Sequence, residues 1–200
     1  LDRILWREKI HDKVASMKRD NLFLVFIGVF ISCVFSVPVH ADRFQEVAQK
    51  ARTEFAASQI KWQNDLAELV VQKNPEFRAM ANTARDLQLA YTKKRTREFL
   101  FLIENEPHCV TLDKGLTSFA NYEWTDKNAS ALIKGDPSYV AFLEDISRLR
   151  EKNDQNPDWS KFREWFQNTL SKSKEYETLF NDFKERQKGI EALLNQYKPE

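Results

Sequence analysis

Residues 42–105 read DRFQEVAQKARTEFAASQIKWQNDLAELVVQKNPEFRAMANTARDLQLAYTKKRTREFLFLIEN, and this stretch decides the fold. In its first half Phe44, Val47, Ala51, Phe55, Ser58, Trp62, Leu66 and Leu69 recur every three or four residues, with charged and amide residues between them. That is the period of an α-helix with one buried face. Asn74-Pro75-Glu76 interrupts the pattern, and the residue before a proline avoids helical geometry, so the first helix stops near Asn74. The same three residues open a second helix. Asn is a good N-cap, Pro fits the first helical position, and Glu suits the positive end of the helix dipole. So short a connection predicts an antiparallel hairpin.

The second stripe runs Phe77, Met80, Ala84, Leu87, Tyr91, then Phe99 and Leu102. At Phe99–Ile103 (FLFLI) it becomes apolar on all sides, which a helix tolerates only where it is enclosed all round. The C-terminal half of the chain is therefore expected to wrap this turn. Pro107 ends the helix, and His108–Leu116 reads as a loop. Short helical stretches follow around Leu116–Tyr122 and Lys127–Lys134, the latter stopped by Gly135 at a C′ position. Asp136-Pro137 repeats the cap-plus-proline device and opens a helix to about Lys152, with Val140, Leu143, Ile146 and Leu149 inward. Asn156-Pro157-Asp158 repeats it again. From Trp159 an apolar repeat continues to Tyr197, with a weak point at Ser171–Lys174 that leaves open one helix or two. With four Gly and six Pro, the chain lacks the turns of a many-stranded fold. The predicted class is all-α: an antiparallel long-helix bundle, with the hairpin 42–105 packed against C-terminal helices within 137–197.

The segment ahead of the hairpin carries a localisation signal. Met17–Ala41, MKRDNLFLVFIGVFISCVFSVPVHA, has a Lys18-Arg19 flank, an apolar run Leu22–Val37 and a small-residue cleavage site at Val39-His40-Ala41. These are the parts of a secretory signal peptide. Residues 1–16 read as an upstream extension, 17–41 as the signal, and 42–200 as one helical domain. An uncleaved anchor at 22–37 is the alternative, because the run approaches the ~20 residues that span a bilayer. A lipoprotein built on Cys33 fits less well, since Val34–Val39 stays apolar where a polar tether is needed.

Composition removes several function classes. The chain of 200 residues has a net charge of +1, and removing 1–41 takes away six Lys/Arg and four Asp/Glu, leaving −1. No long-range field draws nucleic acid or an anionic membrane. Lys93-Lys94-Arg95-Thr96-Arg97 is the basic run, but it spreads around the helix and reads as a solvated face. After cleavage one cysteine remains, Cys109, open to an intermolecular disulfide and hence to a disulfide-linked dimer. Beside it stands the single remaining histidine, His108. Two donors fall short of a zinc site, and no third group is evident to orient a Cys-His nucleophile. The sequence has no Gly-rich phosphate loop, no GxSxG and no HExxH, so no cofactor or metal is implied and no catalytic residue is assigned.

Two motifs remain. Ser118–Trp124 is the densest aromatic segment outside the periodic helices, and Phe119, Asn121, Tyr122 and Trp124 are the candidate partner-binding residues. They offer rings and an amide to a protein or glycan; the competing reading makes the same rings a cap on the core at Phe99–Ile103. Asn128-Ala129-Ser130 matches a glycosylation acceptor, discounted because the short basic leader looks bacterial. The expectation is an exported helical-bundle protein, periplasmic or secreted, of binding or structural type. Its partner is another envelope or secreted protein met along a helical face. A membrane-anchored envelope component is the alternative, and a carboxylate-dependent enzyme comes third.

Overall fold

A computed structural model describes residues 39–195, and readings that fall on residues 1–38 (the upstream extension, the Lys18-Arg19 flank, the apolar run and Cys33) or on Tyr197 lie outside it. The described residues are helical and contain no strand. Six α-helices follow one another: α1 Val39–Lys73, α2 Arg78–Asn105, α3 Asp126–Gly135, α4 Ser138–Asp154, α5 Trp159–Asn168 and α6 Lys174–Asn195. None of the described helices is long and apolar enough to cross a membrane. The tripeptide Val39-His40-Ala41 forms the first turn of α1.

The α1–α2 hairpin forms as its junction dictates. Asn74 is extended, its side chain accepts the N–H of Glu76 at 3.2 Å, and Pro75 starts a 3-10 turn that leads into α2. At the other end of α2, Phe99, Leu102 and Ile103 are fully buried. They sit among Ala48 and Ala51 of α1, Val110, Leu112 and Phe119 of the following loop, and Ile190 and Leu194 of α6. The two alanines let α1 approach closely enough for Phe99 to fill the gap. Ser58 of α1 accepts the Nε2 of Gln187 at 2.9 Å, which adds a polar contact where α6 lies along α1. A second cluster gathers Val70, Phe77 and Met80 with Leu170, and aromatic rings of α5 pack on it.

Two local expectations are corrected, and the open question of the C-terminal repeat is answered. Gly135 stays inside α3, and Asp136 is the C-cap, its N–H reaching the Leu132 carbonyl. Among the described glycines only Gly115 has positive φ (57°), where the turn into the Gly115–Phe119 3-10 helix needs it. Val140 is 39% exposed rather than inward. Tyr139, Phe142, Ile146 and Leu149 form the inward stripe of α4 instead, because Asp136 receives both Arg97 and the Ser138 backbone and sets the rotation of the helix. The C-terminal repeat is two helices, broken at the 3-10 turn Leu170–Lys172, where Ser173 turns extended.

Candidate functional site

The basic run of α2 is where the sequence and structure part company. Lys93 and Arg95 are exposed, but Lys94 pairs with the carboxylate of Glu98, and Glu98 is 3% exposed. Arg97 reaches across to Asp136 and Ser138 at the start of α4 and lies over the rings of Tyr139 and Phe142, 5.6 and 5.4 Å from their centroids. Only part of the run is a solvated face.

Beneath it lies a buried polar centre. Glu98 accepts the hydroxyl of Tyr122 at 2.9 Å and that of Tyr139 at 2.8 Å, besides the Lys94 ammonium. Burial first, then the Glu98 carboxylate, pushes both phenols well above the usual tyrosine range. On the α1 side Arg52 is 2% exposed. Its guanidinium lies 5.5 Å from the rings of Phe55 and Phe119 and 5.6 Å from that of Phe99. Its Nη1 donates to the Phe119 carbonyl at 3.3 Å, while Nε has no partner. Loss of hydration lowers the pKa of this arginine to about 10, against a smaller upward pull from Tyr122. A cation held by three quadrupoles and one carbonyl is tolerable in a core where water cannot follow.

Above this centre a cleft of about 450 Å³ opens, lined by Ala56, Ile60, Thr92, Lys93, Thr96, Arg97 and Phe142. The hydroxyls of Thr92 and Thr96 donate to the carbonyls of Gln88 and Thr92, at 2.9 and 2.8 Å. Their polarity is thus satisfied within the helix, and the wall is more apolar than its composition suggests. Arg97 is fixed by Asp136, whereas Lys93 makes no ion pair among the described residues.

The candidate partner-binding residues divide. Phe119 is 1% exposed and belongs to the core. Tyr122 and Trp124 are half-buried, the first bound to Glu98 and set edge-on to Phe99, the second edge-on to Phe101. Asn121 is exposed, and its backbone N–H closes the preceding turn on Thr117. The rings therefore pack on the turn at Phe99–Ile103, and none of the four lines the cleft.

The loop after α2 holds a third group. Pro107–Cys109 forms a 3-10 turn, and donor atoms of Glu106, His108 and Cys109 lie within 4.8 Å of one another. Glu106 accepts Lys127 at 2.9 Å and Asn128 at 3.0 Å, which holds its carboxyl below the usual range, the lysine hydrogen bond being the larger cause. Partial burial, then the charges of Glu106 and Glu123, push the Cys109 thiol up. That disfavours the thiolate needed for disulfide exchange. Asn128, the asparagine of the glycosylation motif, is 1% exposed, and its side chain completes the capping box with Thr125. Its amide is engaged on both sides within the fold.

Sequence reasoning missed Arg52, Glu98 and Tyr139. The first two leave a trace: Arg52 falls between Ala48 and Phe55 on the apolar face of α1, and Glu98 lies four residues before Leu102 on that of α2. Compared with known protein families, curated proteins and solved structures, the chain matches none.

Proposed function

We propose that the protein is an exported helical-bundle binding component that seats an apolar side chain of a protein partner in the α1–α2–α4 cleft. The supporting observation is the cleft itself: an apolar floor of Ala56, Ile60 and Phe142 beside the Lys93 ammonium, with Arg97 on the rim already paired to Asp136. Pockets of this size with few polar groups suit an anchor residue, and the rim favours acidic flanks on the segment that carries it. Arg97 stacked over Tyr139 and Phe142 and paired with Asp136 keeps that wall formed before a partner arrives, which reduces the ordering cost of binding. Glu98, the carboxylate buried beneath, is occupied by three donors and serves the scaffold rather than a substrate.

Export rests on the Met17–Ala41 pattern. N-terminal sequencing of the protein recovered from producing cells is expected to start at Asp42; retention of Leu22–Val37 in the membrane fraction would place it in the anchored form instead. For the cleft, a photo-crosslinking side chain at Thr92 is expected to trap one protein from an envelope extract, and the same group at exposed Glu104 is expected to trap none. Equal capture at both positions, or loss of nothing on Phe142→Asp, would overturn the cleft as the binding site.

A further inference from the structure

We propose that Glu106, His108 and Cys109 form a three-ligand site for a borderline-soft divalent cation of the zinc type, with a fourth position left to water. The inference is independent of the cleft. The three donor atoms already lie within 4.8 Å of one another. A tetrahedral zinc site has bonds of about 2.0–2.3 Å and therefore donors about 3.3–3.8 Å apart. Closing the set takes roughly an ångström of side-chain rotation, and His108 is exposed and able to supply it.

The turn that carries the donors is fixed at both ends. The Cys109 N–H reaches the Glu106 carbonyl at 2.9 Å, and the Cys109 carbonyl accepts the Glu123 N–H at 3.3 Å. One carboxylate oxygen is also held from behind. Asn128 donates through Nδ2 to Glu106 Oε2, and its own Oδ1 is fixed by the Thr125 N–H, so the amide cannot turn away. Metal-binding carboxylates are oriented in this way by an outer shell of hydrogen bonds. The other oxygen, Oε1, is held only by Lys127, whose side chain is 81% exposed. That ammonium occupies the place of a cation and is free to swing out.

The donor set selects the metal. One sulfur, one nitrogen and one oxygen suit zinc, whereas calcium and magnesium require six or more oxygen ligands or a shell of retained water. On binding, the Cys109 thiol releases its proton to solvent, the sulfur forms the metal bond, and no electron changes hands.

The test is titration of the full chain, reduced and metal-free, with Co²⁺ and then Zn²⁺. One Co²⁺ per chain with a thiolate-to-cobalt charge-transfer band, displaced by Zn²⁺, is expected. Cys109→Ser removes the band, and His108→Ala and Glu106→Gln each weaken binding by about tenfold or more. Lys127→Ala tightens binding by removing the competing ammonium, and its exposed side chain makes it the variant least exposed to misfolding. No band, a band indifferent to both His108→Ala and Glu106→Gln, one metal shared by two chains, or weaker binding in Lys127→Ala would each overturn the site.

Discussion

Replacing Glu98 by alanine tests the buried centre most directly. The substitution leaves the Tyr139 hydroxyl, in a residue 1% exposed, and the half-buried Tyr122 hydroxyl without their acceptor, and it strips Lys94 of its partner. A hydrogen bond to a charged group contributes about 1.5–3 kcal/mol, so two phenols set an upper bound near 6 kcal/mol. The bonds share one acceptor and are not additive, and Lys94 recovers water at a side chain already 30% exposed. Two hydroxyls left without an acceptor cost about 1–3 kcal/mol each, so a loss of about 2–5 kcal/mol is expected. A chain of this size has a stability of about 5–15 kcal/mol, so the loss is a large fraction of the total and lowers the urea midpoint accordingly. Equilibrium urea unfolding followed by circular dichroism measures the change, with Glu104→Ala on the exposed face as the control at under about 0.5 kcal/mol. In the Tyr122→Phe, Tyr139→Phe background most of the Glu98→Ala cost should disappear. A loss below about 1 kcal/mol, or one unchanged in that background, would refute the network as a unit.

Alkaline pH perturbs the same centre with a definite sign. The folded-state pKa values of Tyr122 and Tyr139 lie above the unfolded value, so their contribution is intact below pH about 10 and is lost as the unfolded phenols ionise first. Arg52, lowered to about 10, acts oppositely above that pH, because shedding its proton favours the fold. The two phenols, joined by the raised Cys109 thiol, outweigh Arg52, so stability declines as pH rises above about 10. Spectrophotometric titration should show two of the five tyrosines ionising only with unfolding. Thr125→Ala removes the hydroxyl of the α3 capping box, for an expected loss of about 1 kcal/mol and a melting temperature about 2–4 °C lower by calorimetry.

Where a residue's local chemistry settles its own backbone, the sequence was legible. Asn74-Pro75 fixes the hairpin turn through a side-chain cap and a missing N–H, and both act within three residues. FLFLI announces burial, and Phe99, Leu102 and Ile103 are fully buried, but Leu100 and Phe101 are half-buried, so the turn is not enclosed all round as the pattern predicts. The aromatic segment was visible too, and both its readings were on the table; the choice between them depended on what Phe99 and Phe101 meet in space. Arg52 and Glu98 were illegible for a different reason. A charged residue on a helix reads as surface unless a partner is known, and their partners, Phe119, Tyr122 and Tyr139, lie far along the chain. The third donor beside His108-Cys109 was equally hidden. Glu106 stands two residues before His108, with Pro107 between them, and the 3-10 turn brings its carboxylate back toward the pair.

The core around Phe99 takes Ala48 and Ala51 from near one end of the described chain and Ile190 and Leu194 from near the other. Such a core cannot close on a ribosome until the chain through Leu194 has emerged, and loop closure over so long a span delays it further. A fold whose keystone is the helix Lys174–Asn195 stays open until that helix has been made.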